Sequence, residues 1–237
     1  MAELLLTALI LFGASLIAAT FGFGNALFAM PLLTLFLGLS IATPLSGLVG
    51  ITIAITVVMR SWQRVDIASA WRLIVATWVG IPIGVLLVKH VPDQVITQAL
   101  GAVLIGFGIY RLANSRIWQL SSPTWAFPFG FVAGILGGAY NTNGPPVLIY
   151  GELRHWSPTQ FRATLQSYFF PTGVGIVATH GLAGLWNTQI FVLYGVSLPG
   201  ILLAIAIGSW LNAHLPVKRF QALLSGLLIG LGVLLWL

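Results

Sequence analysis

Two short polar clusters interrupt the apolar runs of this sequence, and their residue types could bind a small anion. One is "GFGN", Gly22 to Asn25, followed by Pro31; the other is "YNTNGPP", Tyr140 to Pro146. Asn and Thr side chains donate hydrogen bonds without carrying charge. Glycine and proline interrupt helices, the first through its permissive φ and the second through its missing N–H. Proline is nevertheless favoured in the first turn of a helix, where that N–H would have no partner. Each cluster therefore predicts the start of a new helix, with free N–H groups and the positive dipole end facing the break. Two such starts meeting near the middle of the protein would form an anion site. Its ligands would be Gly24 and Asn25 from the first break and Asn141, Thr142, Asn143 and Gly144 from the second. Neutral donors hold an oxyanion less tightly than a buried arginine would, so a carrier built on them can also release it. The second break, with its paired prolines, is the stronger of the two in the sequence.

Other polar residues take second place. Thr43 in "SIATPLSG" and Gln166 in "FRATLQSYFFPTG" fall at comparable depth in the two halves, and Arg162 stands at an inner mouth as a gate. An amide as deep as Gln166 needs partners. The four acids, Glu3, Asp66, Asp93 and Glu152, all map near segment ends, so none sits where an ion pump places its carboxylates. Any coupled proton would travel on the substrate or through Glu152 or His180, the latter expected at an outer interface. The four histidines have no metal-binding spacing and cysteine is absent, which removes metal, thiol and nucleophile–base chemistry and leaves no cofactor to expect. The ten Lys and Arg are scattered rather than clustered, which argues against nucleic acid as a partner.

The elements that must position these clusters are membrane helices. Of 237 residues, 58% are hydrophobic and 6% charged, with a mean hydropathy of +1.01. A soluble domain carries about 25% charged residues. The expected fold is an all-α polytopic membrane protein. Its first run lacks a basic leader, so it is expected to be retained. Apolar runs beside the breaks, Leu4 to Ala19 and Ala26 to Leu39, then Trp125 to Gly138 and Pro145 to Tyr150, are expected to fall short of a full span. Tryptophans at run ends, Trp62, Trp118, Trp125 and Trp186, read as interfacial belts.

The halves resemble one another. "HVPDQVITQALGAVLIGFG" from His90 matches "HLPVKRFQALLSGLLIGLG" from His214, and Pro31 corresponds to Pro146. Interrupted segments at matching positions point to a transporter's binding site. If each interrupted element enters and returns, nine of the ten basic residues fall on one side and only Lys89 on the other, as the positive-inside bias requires. The expected organisation is two inverted-topology repeats, 1–112 and 124–237, joined by a cytoplasmic linker, 113–123. Each repeat is a broken or re-entrant helical pair followed by three transmembrane helices, with both termini outside. The sequence leaves open whether the segments beside each break are hairpins or full crossings.

The first-half break with its proline, the second-half stretch "GGAYNTNGPPVLIYGELRHWSPTQFRATL" and the paired "LIGFG" and "LIGLG" resemble the sulfite exporter TauE/SafE family over essentially the whole chain. Asn25, and the run Asn141 to Asn143, stand where many members of that family carry glycine. The resemblance implies an inner-membrane permease for sulfur oxyanions or organic sulfonates such as sulfite or sulfoacetate. The expected mechanism is alternating access, one repeat rocking against the other. An anion channel and a permease for another small organic anion are the alternatives. The partners expected are the small anion and the lipid bilayer, with a homodimer left open.

Overall fold

The computed structural model describes residues 2–61, 67–113, 119–214 and 218–236, and these are helical apart from turns and short connections. The helices are α1 (Ala2–Phe21), α2 (Asn25–Leu37), α3 (Leu39–Ser61), α4 (Ile67–His90), α5 (Asp93–Ala113), α6 (Ala126–Tyr140), α7 (Gly144–Leu153), α8 (Pro158–Leu182), α9 (Thr188–His214) and α10 (Lys218–Leu234). A 3-10 turn at Pro123–Trp125 leads into α6. Residues 114–118 of the expected linker lie outside the described residues, as do Trp62 and Trp118. Trp125 and Trp186 are exposed near helix ends, as interfacial rings should be.

Five helices, α1, α3, α4, α5 and α9, contain stretches long and apolar enough to cross a membrane. The helices after the breaks are short. The 13 residues of α2 and the 10 of α7 extend about 20 and 15 Å, against a hydrocarbon core of about 30 Å. The first run was expected to be short too, but α1 is 20 residues and reaches span length. It continues past the polar Thr20, whose hydroxyl donates back to the Leu16 carbonyl at 2.7 Å, and stops only at Gly22, where φ is 84°.

Contacts between helix ends fix each helix's direction. Gln189 at the start of α9 donates to Glu3 at the start of α1 at 3.0 Å, and Lys89 at the end of α4 donates to the Ala183 carbonyl just past α8 at 2.8 Å. The turn 183–187 joins α8 to α9, so these ends share one face, the Lys89 end. α2 finishes there as well, since Thr34 and Gly38 share a small cavity with Asp93 and Thr97 of α5. At the other face, the Arg111 end, Arg111 of α5 pairs with Glu152 of α7, and the Leu120 N–H binds the Leu153 carbonyl at 2.9 Å. α1 thus leaves the Lys89 end and α2 returns to it, while α6 leaves and α7 returns at the Arg111 end. Both broken pairs are helical hairpins entering from opposite faces.

The main packing partners cross between the halves of the sequence: α1 lies on α9, α4 on α6 and α8, α5 on α10, and α3 on α8 and α9. Exchanging α1–α5 with α6–α10 carries this set of pairs onto itself. Lipid tails are as apolar as leucine, so helices in a bilayer are joined by close van der Waals contact rather than by the hydrophobic effect. Glycine supplies that contact. A Cβ on Gly80 or Gly84 of α4 would run into the Phe131 or Ile135 carbonyl, and one on Gly134 or Gly138 of α6 into that of Thr77 or Ile81. Thr77 adds a hydrogen bond across the seam, to the Gly130 carbonyl at 2.9 Å. The Cβ of Gly208 on α9 would meet the Leu16 carbonyl of α1 at 2.7 Å.

Gly84→Ala is therefore expected to destabilise the protein by about 1–3 kcal/mol through overpacking, although alanine is the better helix former. Gly106→Ala, where a Cβ meets nothing within 4 Å, should leave the melting temperature unchanged or raise it. Thermal melts of the two variants in detergent check the contrast.

Candidate functional site

Both breaks open onto one cavity of about 880 Å³. Gly22 to Asn25 line it from the first hairpin and Asn141 to Gly144 from the second. It continues to the Arg111 end, where Arg111, Glu152, Leu153 and His155 line it. Glu3, Lys89 and Asp93, at the opposite face, do not.

The last turn of α6 shows how a helix can stop inside the protein without leaving carbonyls unpaired. Asn141 adopts the left-handed conformation, φ 53°, that closes helix C-termini. Its N–H binds the Gly137 carbonyl at 2.8 Å, and the Thr142 N–H binds that of Leu136 at 3.1 Å. The Gly138 carbonyl accepts from His180 Nε2 at 3.0 Å, and the Ala139 carbonyl from the Thr43 hydroxyl at 3.0 Å. The Tyr140 carbonyl accepts from the Thr142 hydroxyl, also at 3.0 Å. Each of the five final carbonyls thus has a donor. The end of α1 is held in a similar way: the Gly22 N–H binds the Ala18 carbonyl at 2.8 Å, and Asn212 of α9 donates to the carbonyl of Thr20.

These bonds revise the roles expected of several residues. His180 is fully buried on α8 rather than interfacial, because the α6 terminus needs its donor. Thr43 is buried against α6 and does not line the cavity. The Asn141 amide donates to the Ser46 carbonyl at 2.8 Å, fixing the second break to α3, and a Cβ on Gly50 would press on that same amide at 2.8 Å. Asn143 donates to the Thr172 hydroxyl at 3.2 Å. Arg162 and Gln166 belong to α8, but their side chains lie outside the described ones.

The helix N-termini are different. Gly24 precedes α2 with φ 107° and provides no side-chain cap. The first backbone bond of that helix runs from the Phe28 N–H to the Gly24 carbonyl at 3.2 Å, so the N–H groups of Asn25, Ala26 and Leu27 are the unpaired ones of the first turn. Asn25 is 8% exposed, and neither its Oδ1 nor its Nδ2 has a hydrogen-bond partner. No other buried amide side chain among the described residues is left so. At the start of α7 the caps are also missing, but Pro145 and Pro146 have no N–H to offer, leaving Gly144. The prolines that mark the second break also remove its donors, so the first break keeps more open N–H groups than the second.

An ion pair escaped the sequence reading. Arg111 Nη1 lies 2.5 Å from Glu152 Oε1, and the Arg111 guanidinium carbon sits 5.8 Å from the centre of the Phe23 ring. Arg111 counted only as a charge setting orientation, and Glu152 as a segment end and a route for a coupled proton. Nothing in the local pattern joins residues 41 apart. The one available signal is positional, since Glu152 closes the short helix that the second break begins.

The model of the family described as "Sulfite exporter TauE/SafE" matches residues 7–235. A protein of Cupriavidus necator named "Probable sulfite/organosulfonate exporter TauE" is 26% identical over 183 residues, covering 74% of this chain and 70% of that protein. No solved structure matches the chain.

Thr43→Val, which removes the donor to Ala139, should lower stability by about 1 kcal/mol, and Thr43→Ser should restore it. Detergent thermal melts measure both. Equal melting temperatures for Thr43→Val and the unaltered protein would mean that the α6 terminus does not depend on this bond.

Proposed function

The chain belongs to the sulfite exporter TauE/SafE family, and we propose that it moves a small sulfur oxyanion, sulfite or an organic sulfonate, across the cytoplasmic membrane. Members of this family are transporters, not enzymes. The observation that carries the substrate class is the contrast between the two kinds of helix end at the breaks. The α6 carbonyls are closed by donors from the protein, whereas N–H groups of α2 and the buried Asn25 amide have no partner in the protein, beside the cavity that Gly24 and Asn25 line. Open donors beside a positive helix end attract anions, and closed carbonyls offer a cation nothing. In this reading Asn25, Gly24 and the first-turn amides of α2 form the main cradle. Gly144 and the Asn143 side chain complete it from the other hairpin. Asn141 and Thr142 shape it through the bonds that hold the second break.

The mechanism proposed is alternating access, with 1–112 and 124–237 as inverted repeats. Hairpins entering from opposite faces, and a set of helix pairs that maps onto itself when the halves are exchanged, support it. Among the described residues Arg72, Arg111 and Arg154 lie at or near the Arg111 end and Lys89 at the other, which favours the Arg111 end as cytoplasmic. The conformation is then open to the cytoplasm, since the cavity reaches that face. Its volume admits an organic sulfonate as well as sulfite.

Liposomes containing the purified protein are expected to take up labelled sulfite saturably, with sulfonates competing and a cation such as ammonium not competing. A hydrogen bond to a charged partner contributes about 1.5–3 kcal/mol, so Asn25→Ala should raise KM about tenfold or more. Asn25→Asp, which places a like charge in the cradle, should abolish uptake. Unaltered sulfite kinetics in both variants would remove Asn25 and the α2 terminus from the site.

A further inference from the structure

The geometry points to Arg111 as a second, charged anion-binding position in the cavity, which Glu152 occupies until a substrate anion displaces it. This inference rests on the proposed reading of the cavity as an anion path.

Three observations carry it. The pair is the one salt bridge among the described residues, it joins α5 of the first half to α7 of the second, and both side chains line the cavity. The partners differ in exposure: the Arg111 side chain is 13% exposed and that of Glu152 37%. A displaced carboxylate can therefore turn to water, while the guanidinium stays where it is. The Phe23 ring beside the guanidinium belongs to the first break, two residues before Asn25, so the charge is held next to the neutral cradle.

The chemistry matches. Carboxylate and sulfonate both present oxygens that share a negative charge, and a guanidinium binds either with its planar fork. Its bond to Glu152 uses one of five N–H donors. A lone arginine in a membrane cavity would be costly and would retain any passing anion. With a tethered carboxylate in place, an anion enters by exchange, and only one that binds the fork better than a carboxylate succeeds. Glu152 thereby acts as a specificity filter as well as a counter-ion. When the substrate leaves, the carboxylate returns and drives release.

The test uses labelled sulfite with full-length protein in liposomes, alongside thermal melts of each variant. Glu152→Gln removes the tethered competitor and should lower the sulfite KM about two- to fivefold, the range expected for a partly exposed ion pair. Arg111→Gln should raise KM at least tenfold. The exchange Arg111→Glu with Glu152→Arg should preserve the melting temperature but fail to restore transport, because the charge then sits on the wrong helix. Wild-type sulfite kinetics in the exchanged protein, or an unchanged KM in Glu152→Gln, would make the pair a structural tie and overturn this inference alone. Absence of saturable sulfite uptake by the unaltered protein would overturn the anion reading and this inference with it.

Discussion

A main chain that breaks inside a membrane must find partners for its exposed polar groups, because the lipid provides none. The rest of this structure follows from how that requirement is met at two places. At the end of α6, five carbonyls draw donors from α3, from α8 and from the two residues after the helix. At the end of α1, Asn212 reaches across from α9. These commitments explain why so few polar residues are present and why most of them lie on helices facing the breaks. What remains without a partner at the first break is the set of first-turn N–H groups of α2 and both polar atoms of the Asn25 side chain, beside a single cavity. The proposed preference for negative charge then rests on main-chain N–H groups and a neutral amide, before any basic side chain is counted.

The second constraint is proximity. Glycine lets α4 and α6 approach to main-chain distance, while Thr43 and His180 reach the end of α6 from α3 and α8. The same device recurs between α5 and α10, where a Cβ on Gly101 or Gly232 would meet the other's carbonyl at 2.8 Å. Small residues therefore set the close packing between the halves, separately from the polar side chains that cap α6.

Much of this was legible in the sequence. Composition gave the membrane helices, and the two breaks fall on the residues whose types mark them, 22–24 and 141–143. Gly24, Asn25 and the Asn141–Gly144 stretch line one cavity. The division of labour among those residues was not legible. A sequence shows which side chains carry donors but not which donors are already committed. Thr43 and Ala139 are 96 residues apart, and His180 and Gly138 are 42 apart. The same blindness hid the Arg111–Glu152 pair and placed His180 at an interface. The length of α1 was underestimated because Thr20 looks like a boundary until its hydroxyl folds back onto its own helix.

The crossing of partners between the halves has a consequence for how the protein is made. Helix α1 is made before α9, against which it lies and which begins only at Thr188. At ordinary rates of synthesis the interval between them is roughly 10–30 seconds. Throughout it α1 stands in the bilayer without its mate, its Thr20 carbonyl still waiting for Asn212. Neither half alone supplies all of its packing partners, so early helices wait in the bilayer for late ones. Helix α1, made well before α9, is seated only once α9 has arrived.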